Sequence, residues 1–178
     1  MIFEEKKINL KDGRICMLRS VEIRDAENMI EYLRMVSLET SFLLRNGDEV
    51  TYTIEAEKQL LENKRNSLRE IMMVAEVEGI IAGNCGIVSI GSLRRVYHRC
   101  GFAIALKKDY WNLGIGSAMM DYAFNLAKKW DMNKLNWRWL REIFGQRSYM
   151  SNLGSGKQEK ISMLLNMMII VIETNTKW

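Results

Sequence analysis

The chain has 178 residues, and its 48% hydrophobic content is enough for one globular domain with a sizeable core. Its formal charge is +4, and three of those net charges fall in residues 136–178, which hold six basic and three acidic side chains. Residues 1–135 contain no basic stripe with interleaved aromatic side chains. We therefore expect no nucleic-acid surface.

The three cysteines, Cys16, Cys85 and Cys100, form an odd set without CxxC spacing. Because two of them lie in apolar, strand-like runs, we expect buried, reduced thiols, no metal site and a cytoplasmic location. The N-terminal segment is charged from its fourth residue, so we expect no secretory signal. The longest apolar run, residues 161–172, is shorter than the roughly 20 residues that span a bilayer, so we expect no membrane segment.

The hydrophobic pattern predicts a strand, two helices, three strands and a final helix, in that order. The first strand is residues 14–21, and the first helix follows it directly. The second helix is residues 51–66, which begin with Thr and contribute Leu60 and Leu61 to the core. A polar loop at residues 39–50 joins the two helices. The apolar face of the first helix consists of Met29, Ile30, Leu33 and Val36.

Strands are predicted next at residues 71–77 and 80–90, separated by a Glu-Gly pair that is the two-residue signal of a hairpin. A further strand at residues 96–106 leads to a helix at residues 117–130. The buried stripe of that helix consists of Met119, Met120, Ala123, Phe124 and Ala127. This order of elements predicts an α/β (α+β) fold with one core.

The most informative stretch is residues 102–120, where a strand stops, turns through Gly114 and Gly116, and becomes a helix. Glycine lets the backbone approach a ligand closely, and the first N–H groups of a helix have no partner within the helix. The stretch therefore predicts an anion site that suits a pyrophosphate. The other interpretation of a lone GxG sequence is a tight turn without a ligand.

Residues 111–116, Trp-Asn-Leu-Gly-Ile-Gly, resemble the acyl-CoA signature of the GNAT superfamily, Q/R-x-x-G-x-G/A, with Trp replacing the leading basic residue. The segments that also resemble a bacterial subgroup of this family are residues 18–33, 39–46, 72–87 and 98–106. The resemblance covers residues 1–135. It implies a mixed, mostly antiparallel sheet flanked by helices.

The resemblance also implies an N-acetyltransferase that moves an acetyl group from acetyl-CoA to an amine of a small molecule or a protein. A backbone N–H near the end of the strand would meet the developing oxyanion, and the N–H groups that follow would hold the pyrophosphate. The cofactor-binding residues implied are Ile104, Ala105, Leu106, Asn112, Leu113, Gly114, Ile115, Gly116 and Ser117. No catalytic residue is assigned, because Gly101 stands near the position where many relatives carry a Glu.

Other interpretations of the sequence stay open. The alternative function is a non-catalytic acyl-CoA-binding module that keeps residues 114–117, and a nucleic-acid binder would rest on the tail charges alone. His98, the single histidine, is assigned a solvated or structural role, and Glu76 and Glu78 are assigned to solvent. The acceptor amine and the oligomeric state have no readable code in the sequence.

Residues 136–178 lack the elements that the family places after residue 135, namely a fifth strand, a helix with a Tyr that protonates the departing thiolate, and a sixth strand. We hypothesise that one nucleotide is missing near codon 136, so that the following codons are read out of frame. In the neighbouring frame the tail can read LYEQFGF, which resembles the Tyr-bearing element. In that frame the codons of Met167, Met168 and Ile169 must also encode two consecutive Asp residues, because ATG-ATG-AT contains GAT-GAT.

This hypothesis divides the chain into an acyl-CoA-binding core at residues 1–135 and an aberrant tail at residues 136–178 that is not an independent domain. Loss of the last strands would leave one sheet edge uncovered. The apolar run at residues 163–172 has few charges and could itself pair as a strand. A divergent or swapped C-terminal segment is the alternative explanation.

Overall fold

A computed structural model describes residues 1–39, 47–89, 100–129 and 169–170. Within these residues, six strands form one sheet in chain order, and every neighbouring pair is antiparallel. The strands are β1 (Lys6–Asn9), β2 (Ile15–Ser20), β3 (Ile71–Val77), β4 (Ile80–Ser89), β5 (Cys100–Leu106) and β6 (Ile169–Ile170). The helices are α1 (Ala26–Glu39), α2 (Ile54–Asn66) and α3 (Ile115–Lys129). The prediction of an α/β (α+β) fold with a mostly antiparallel sheet is confirmed.

The predicted hairpin joins β3 to β4. Glu78 and Gly79 both have positive φ angles, 52° and 81°, as the tight two-residue turns that suit the strand twist require. The register then shifts between Ala75 and Glu76, because their partners on β4 are Gly83 and Ile81. Ala82 is therefore an extra residue on β4, and its carbonyl accepts the Lys107 N–H at 2.9 Å. This bulge lies beside the end of β5.

The sheet separates two apolar clusters, since consecutive side chains of a strand point to opposite faces. Met73 belongs to the cluster under α3, whereas Val74 belongs to the cluster under α1 and α2. The first cluster includes Leu18, Ile87, Phe102, Met119 and Ala123, and the second includes Met29, Tyr32, Val36 and Leu61. Because full burial of one such side chain contributes about 1.5–3 kcal/mol, these clusters dominate the stability of the domain.

The helical stripes largely follow the sequence pattern. Met29, Ile30 and Val36 of α1 are buried as predicted. On α2 the prediction was right for Leu61, which is 0% exposed, and wrong for Leu60, which is 38% exposed. Leu60 and Leu61 point roughly 100° apart around the helix axis, and it is the Leu61 side of α2 that packs on the sheet.

A buried ion network joins β2, β3 and the 3-10 helix at Ile23–Asp25. The Arg19 guanidinium donates to both carboxylate oxygens of Asp25, at 2.7 and 2.8 Å, and to Glu76 at 2.7 Å. Burial opposes ionisation of Asp25, but the hydrogen bonds from Arg19 and from the Glu22 N–H outweigh it and lower the pKa of this carboxyl. Glu76, which was assigned to solvent, keeps 31% of its side chain exposed but is bonded to Arg19, a partner that the sequence did not indicate.

Cys16 and Cys85 are buried free thiols, as predicted, and burial raises the pKa of each to about 12. Such thiols are protonated at neutral pH and are poor nucleophiles. The side chain of Cys100 and the whole of His98 lie outside the described residues.

The edge of β5 carries a short strand from the C-terminal tail. β6 pairs with β5 through Phe102 with Ile170 and Ala103 with Ile169. The prediction that the apolar run at residues 163–172 pairs as a strand is confirmed for these two positions. The rest of the predicted tail lies outside the described residues. No helix in the described part of the chain is long and apolar enough to cross a membrane.

Candidate active site

The segment that carries the glycine motif joins β5 to α3. After β5 ends, a 3-10 helix at Lys108–Tyr110 leads to Trp111, whose indole Nε1 donates to the Leu106 carbonyl at 3.0 Å. Asn112 and Gly114 then take positive φ angles of 63° and 96°. This left-handed backbone turns the chain sharply, so that α3 begins beside the end of β5.

The beginning of α3 presents a run of backbone donors. Within the described residues, the N–H groups of residues 113–117 have no protein acceptor, and the first helical bond runs from the Ala118 N–H to the Gly114 carbonyl at 3.1 Å. A Cβ built on Gly114 would meet no atom within 4 Å, so the space in front of the backbone is open there. Five amides and the positive end of the helix dipole together suit an anion. We call residues 113–117 the amide cradle.

The turn between β1 and β2 supports the amide cradle from outside. The Lys11 N–H donates to the Leu113 carbonyl at 3.3 Å. The Arg14 guanidinium, which is paired with Asp12, lies 5.2 Å from the centre of the Tyr110 ring. These contacts fix the loop without using any N–H of the cradle.

The backbone of β5 offers amides on its outer edge. The Lys107 N–H bonds to the Ala82 carbonyl on β4, and the pairing of β4 with β5 is antiparallel. Since bonded and non-bonded pairs alternate in such a ladder, Ala105 directs its backbone groups to β4. The amides of Ile104 and Leu106 therefore point away from β4. Among the described residues, β6 covers this edge only at Phe102 and Ala103.

Helix α1 holds the end of β5 in place through two side chains that the sequence analysis missed. The Tyr32 hydroxyl donates to the Ala105 carbonyl at 2.7 Å, and the Glu39 carboxylate accepts the Lys108 N–H at 2.7 Å. Burial raises the pKa of Tyr32 above its ordinary value, so its hydroxyl stays protonated and remains a donor. The role of Tyr32 could not be predicted, because an aromatic residue in an amphipathic helix is normally interpreted as a core residue.

The predicted cofactor residues thus occupy one end of the sheet, in one continuous stretch of chain. Ile104, Ala105 and Leu106 close β5, and the cradle follows after the turn at Asn112. Donors on the outer edge of β5 and donors at the start of α3 could stabilise negative charge at two separate places on one extended ligand. The carboxylate in this stretch, that of Asp109, is exposed to solvent.

Comparison with known proteins agrees with the fold. A model of the acetyltransferase (GNAT) family matches residues 34–142. A GNAT-family acetyltransferase from Streptococcus pneumoniae is 32% identical, with 66% of this chain and 70% of that chain covered and a TM-score of 0.63. No curated protein sequence matches this chain.

Two more distant structures share the fold. The Salmonella typhimurium protein yncA, solved with its cofactor acetyl-CoA, is 15% identical, with coverage of 65% of this chain and 64% of that chain and a TM-score of 0.54. The paia N-acetyltransferase of Thermoplasma acidophilum, in complex with coenzyme A, is 18% identical, with coverage of 64% and 72% and a TM-score of 0.53. Because the family model spans more than half of the sequence, the chain belongs to the acetyltransferase (GNAT) family.

Proposed function

We propose that this protein is an acetyl-CoA-dependent N-acetyltransferase that acetylates an amine of a small molecule or a protein. The observation that carries the proposal is the amide cradle, whose N–H groups have no acceptor within the described residues. Coenzyme A contains a pyrophosphate, which is the kind of anion that a helix N-terminus with free amides binds. The solved complexes of yncA with acetyl-CoA and of the Thermoplasma enzyme with coenzyme A support the same ligand here.

The residues suit this cosubstrate at two places along its length. The cradle would hold the pyrophosphate, and the amides of Ile104 and Leu106 would lie along the arm that carries the thioester. Acetyl-CoA supplies the activated acyl carbonyl. A base would remove a proton from the acceptor ammonium, and the free amine would then attack the thioester carbonyl while an amide at the end of β5 stabilises the negative charge on its oxygen. The C–S bond would break as the amide bond of the product forms, and coenzyme A would leave as its thiolate, which takes up a proton.

A pair of glycine variants tests the cradle. Gly114 and Gly79 both have positive φ angles, 96° and 81°, and a Cβ at either position meets nothing within 4 Å. Alanine at each should therefore cost a similar 1–2 kcal/mol or so of stability through backbone strain. Only Gly114→Ala should raise the Kd for acetyl-CoA in calorimetry, by about tenfold or more. Equal affinities in the two variants would contradict the proposed cradle.

We also propose that the chain divides at residue 135 and that residues 136–178 are read out of frame. The family model matches as far as residue 142, seven residues beyond the proposed break, and leaves the rest of the tail unmatched. Sequencing the gene across codon 136 and inserting one base tests the idea. The corrected form should acetylate amines much faster than the present one, because it regains the Tyr-bearing element. Equal activity in both forms would remove the hypothesis, and binding without acetylation in both would favour the non-catalytic module.

A further inference from the structure

Glu57 is a buried carboxylate that has no partner among the residues that the structure describes. It lies in the first turn of α2, is 2% exposed, and occupies the same helix face as the fully buried Leu61. Its side chain makes no hydrogen bond or ion pair with any residue in the described ranges. The other buried charged side chains, Arg19 and Asp25, are bonded to each other.

A buried, unpaired carboxylate destabilises the folded chain, because its charge loses hydration without gaining a partner. Burial accordingly raises the pKa of the Glu57 carboxyl. Nothing in the local structure requires Glu here, since Gln would keep the helix and the shape of the side chain. Buried polar groups that are left unsatisfied in a native fold call for an explanation, and residues kept against stability are typical of binding sites.

The course of α2 puts Glu57 at the end of the sheet where β5 finishes. Arg65 donates to the Val21 carbonyl at 3.1 Å, which anchors the C-terminal end of α2 near the beginning of β3. β3 and β5 are parallel to each other, because both are antiparallel to β4. The beginning of β3 is therefore far from the end of β5. Glu57 lies about 12 Å before Arg65 along the helix axis, toward the end of β5.

The approach to α2 runs beside the last turns of α1. The Val50 carbonyl accepts from the Arg34 guanidinium at 3.3 Å, and Glu39 is bonded to Lys108 beyond β5. Glu57 therefore belongs to the layer of α1 and α2, across the sheet from α3. The amide cradle lies at the start of α3.

We propose that Glu57 is the anionic group that receives the ammonium of the acceptor amine. The inference rests on the proposed function and adds the group that selects cationic acceptors over neutral ones. Binding of the ammonium gives the carboxylate a partner, and the charge-assisted bond is stronger at this buried position than in water. Glu57 is thus a specificity-determining residue for cationic acceptors.

The test uses the full chain, with phenethylamine as the probe and phenethyl alcohol as its neutral analogue. Glu57→Gln should raise the Tm, weaken phenethylamine binding about tenfold or more in calorimetry, and leave acetyl-CoA binding unchanged. Glu62→Gln, at an exposed position of the same helix, is the matched control and should alter none of the three. A higher Tm with unchanged amine binding, or no preference of the original chain for the amine over the alcohol, would overturn the proposal.

A second measurement needs no variant. In carboxyl NMR of the original chain, saturating phenethylamine should lower the pKa of Glu57, because an ammonium favours the ionised form. An unchanged pKa overturns the inference even if Glu57→Gln fails to fold. If the original chain did not bind acetyl-CoA, the proposed function would be contradicted instead. The amine titration is a separate measurement, so the two failures can be distinguished.

Discussion

The contact between Tyr32 and Ala105 gives a quantitative prediction about the end of β5. Tyr32→Phe removes the hydroxyl that donates to the Ala105 carbonyl at 2.7 Å and keeps the buried ring. Because that carbonyl faces β4 in the ladder, it retains a partner. The cost is therefore that of one net hydrogen bond, about 0.5–1.5 kcal/mol. For a chain of this size, the Tm should fall by about 2–5 °C.

The loss should be local as well as global. Tyr32 and Glu39 are the two α1 side chains bonded to the backbone of residues 105–108. Without the hydroxyl, opening of this backbone becomes easier by about 1 kcal/mol, or roughly fivefold. Hydrogen exchange by NMR should show this increase at the Lys107 amide, which bonds to Ala82.

Tyr110→Phe is the matched control. Tyr110 is largely buried too, but its hydroxyl makes no hydrogen bond to a described residue. Its removal should change the Tm by less than about 1 °C. The prediction would be contradicted if Tyr32→Phe had the same Tm as the original chain, or if the Lys107 amide exchanged at the same rate in both proteins. Either result would mean that α1 does not hold β5 through this bond.

Three further predictions follow from polar side chains in the fold. Asp25→Asn should cost about 3–5 kcal/mol in urea denaturation, because it leaves the Arg19 charge half paired. The pKa of Asp25 is lowered, so its contribution should be present above pH 4 or so and disappear as the pH falls through the folded pKa. Thr53→Ala should cost about 1 kcal/mol, since the Thr53 hydroxyl accepts the Ala56 N–H at the start of α2; a smaller loss than in an exposed Thr51→Ala control would be contrary evidence. The pKa of Glu57 is raised, so its destabilising effect grows as the pH rises from the unfolded pKa to the folded pKa and is complete above that. Glu57→Gln should therefore raise the Tm more at pH 8 than at pH 4.5.

Most of the fold could be predicted because its signals are local. The hairpin of β3 and β4 follows from a Glu-Gly pair between two apolar runs, and α1 follows from its apolar stripe. β1 was missed because Lys6 and Lys7 make it polar, and the charges are tolerated on an edge strand with a partner on one side only. Edge strands bury too few apolar side chains to produce a clear hydrophobic pattern in the sequence.

The residues of the candidate site also divide into those that local sequence signals predict and those that depend on distant contacts. The amide cradle was predictable, since a turn and a helix start are coded by neighbouring residues. Tyr32, Glu39 and Glu57 were not, because their meaning depends on partners or burial that arise only when distant segments meet. Tyr32 and Ala105 are 73 positions apart, and no spacing rule connects them. On a helix rich in Glu and Lys, the sequence does not distinguish a buried Glu from the exposed ones.

The location of the site residues in the chain determines which properties a change in residues 136–178 can affect. The cradle, the end of β5 and the turn between them lie within residues 100–129, and their supports come from α1 and the turn between β1 and β2. A ligand held only by these parts does not depend directly on the sequence beyond residue 135. The outer edge of β5 does depend on it, since β6 supplies the pairing at Phe102 and Ala103. A changed tail should therefore affect stability and turnover more than the intrinsic affinity for acetyl-CoA, because an uncovered edge weakens the whole sheet while the donors of the cradle stay in place.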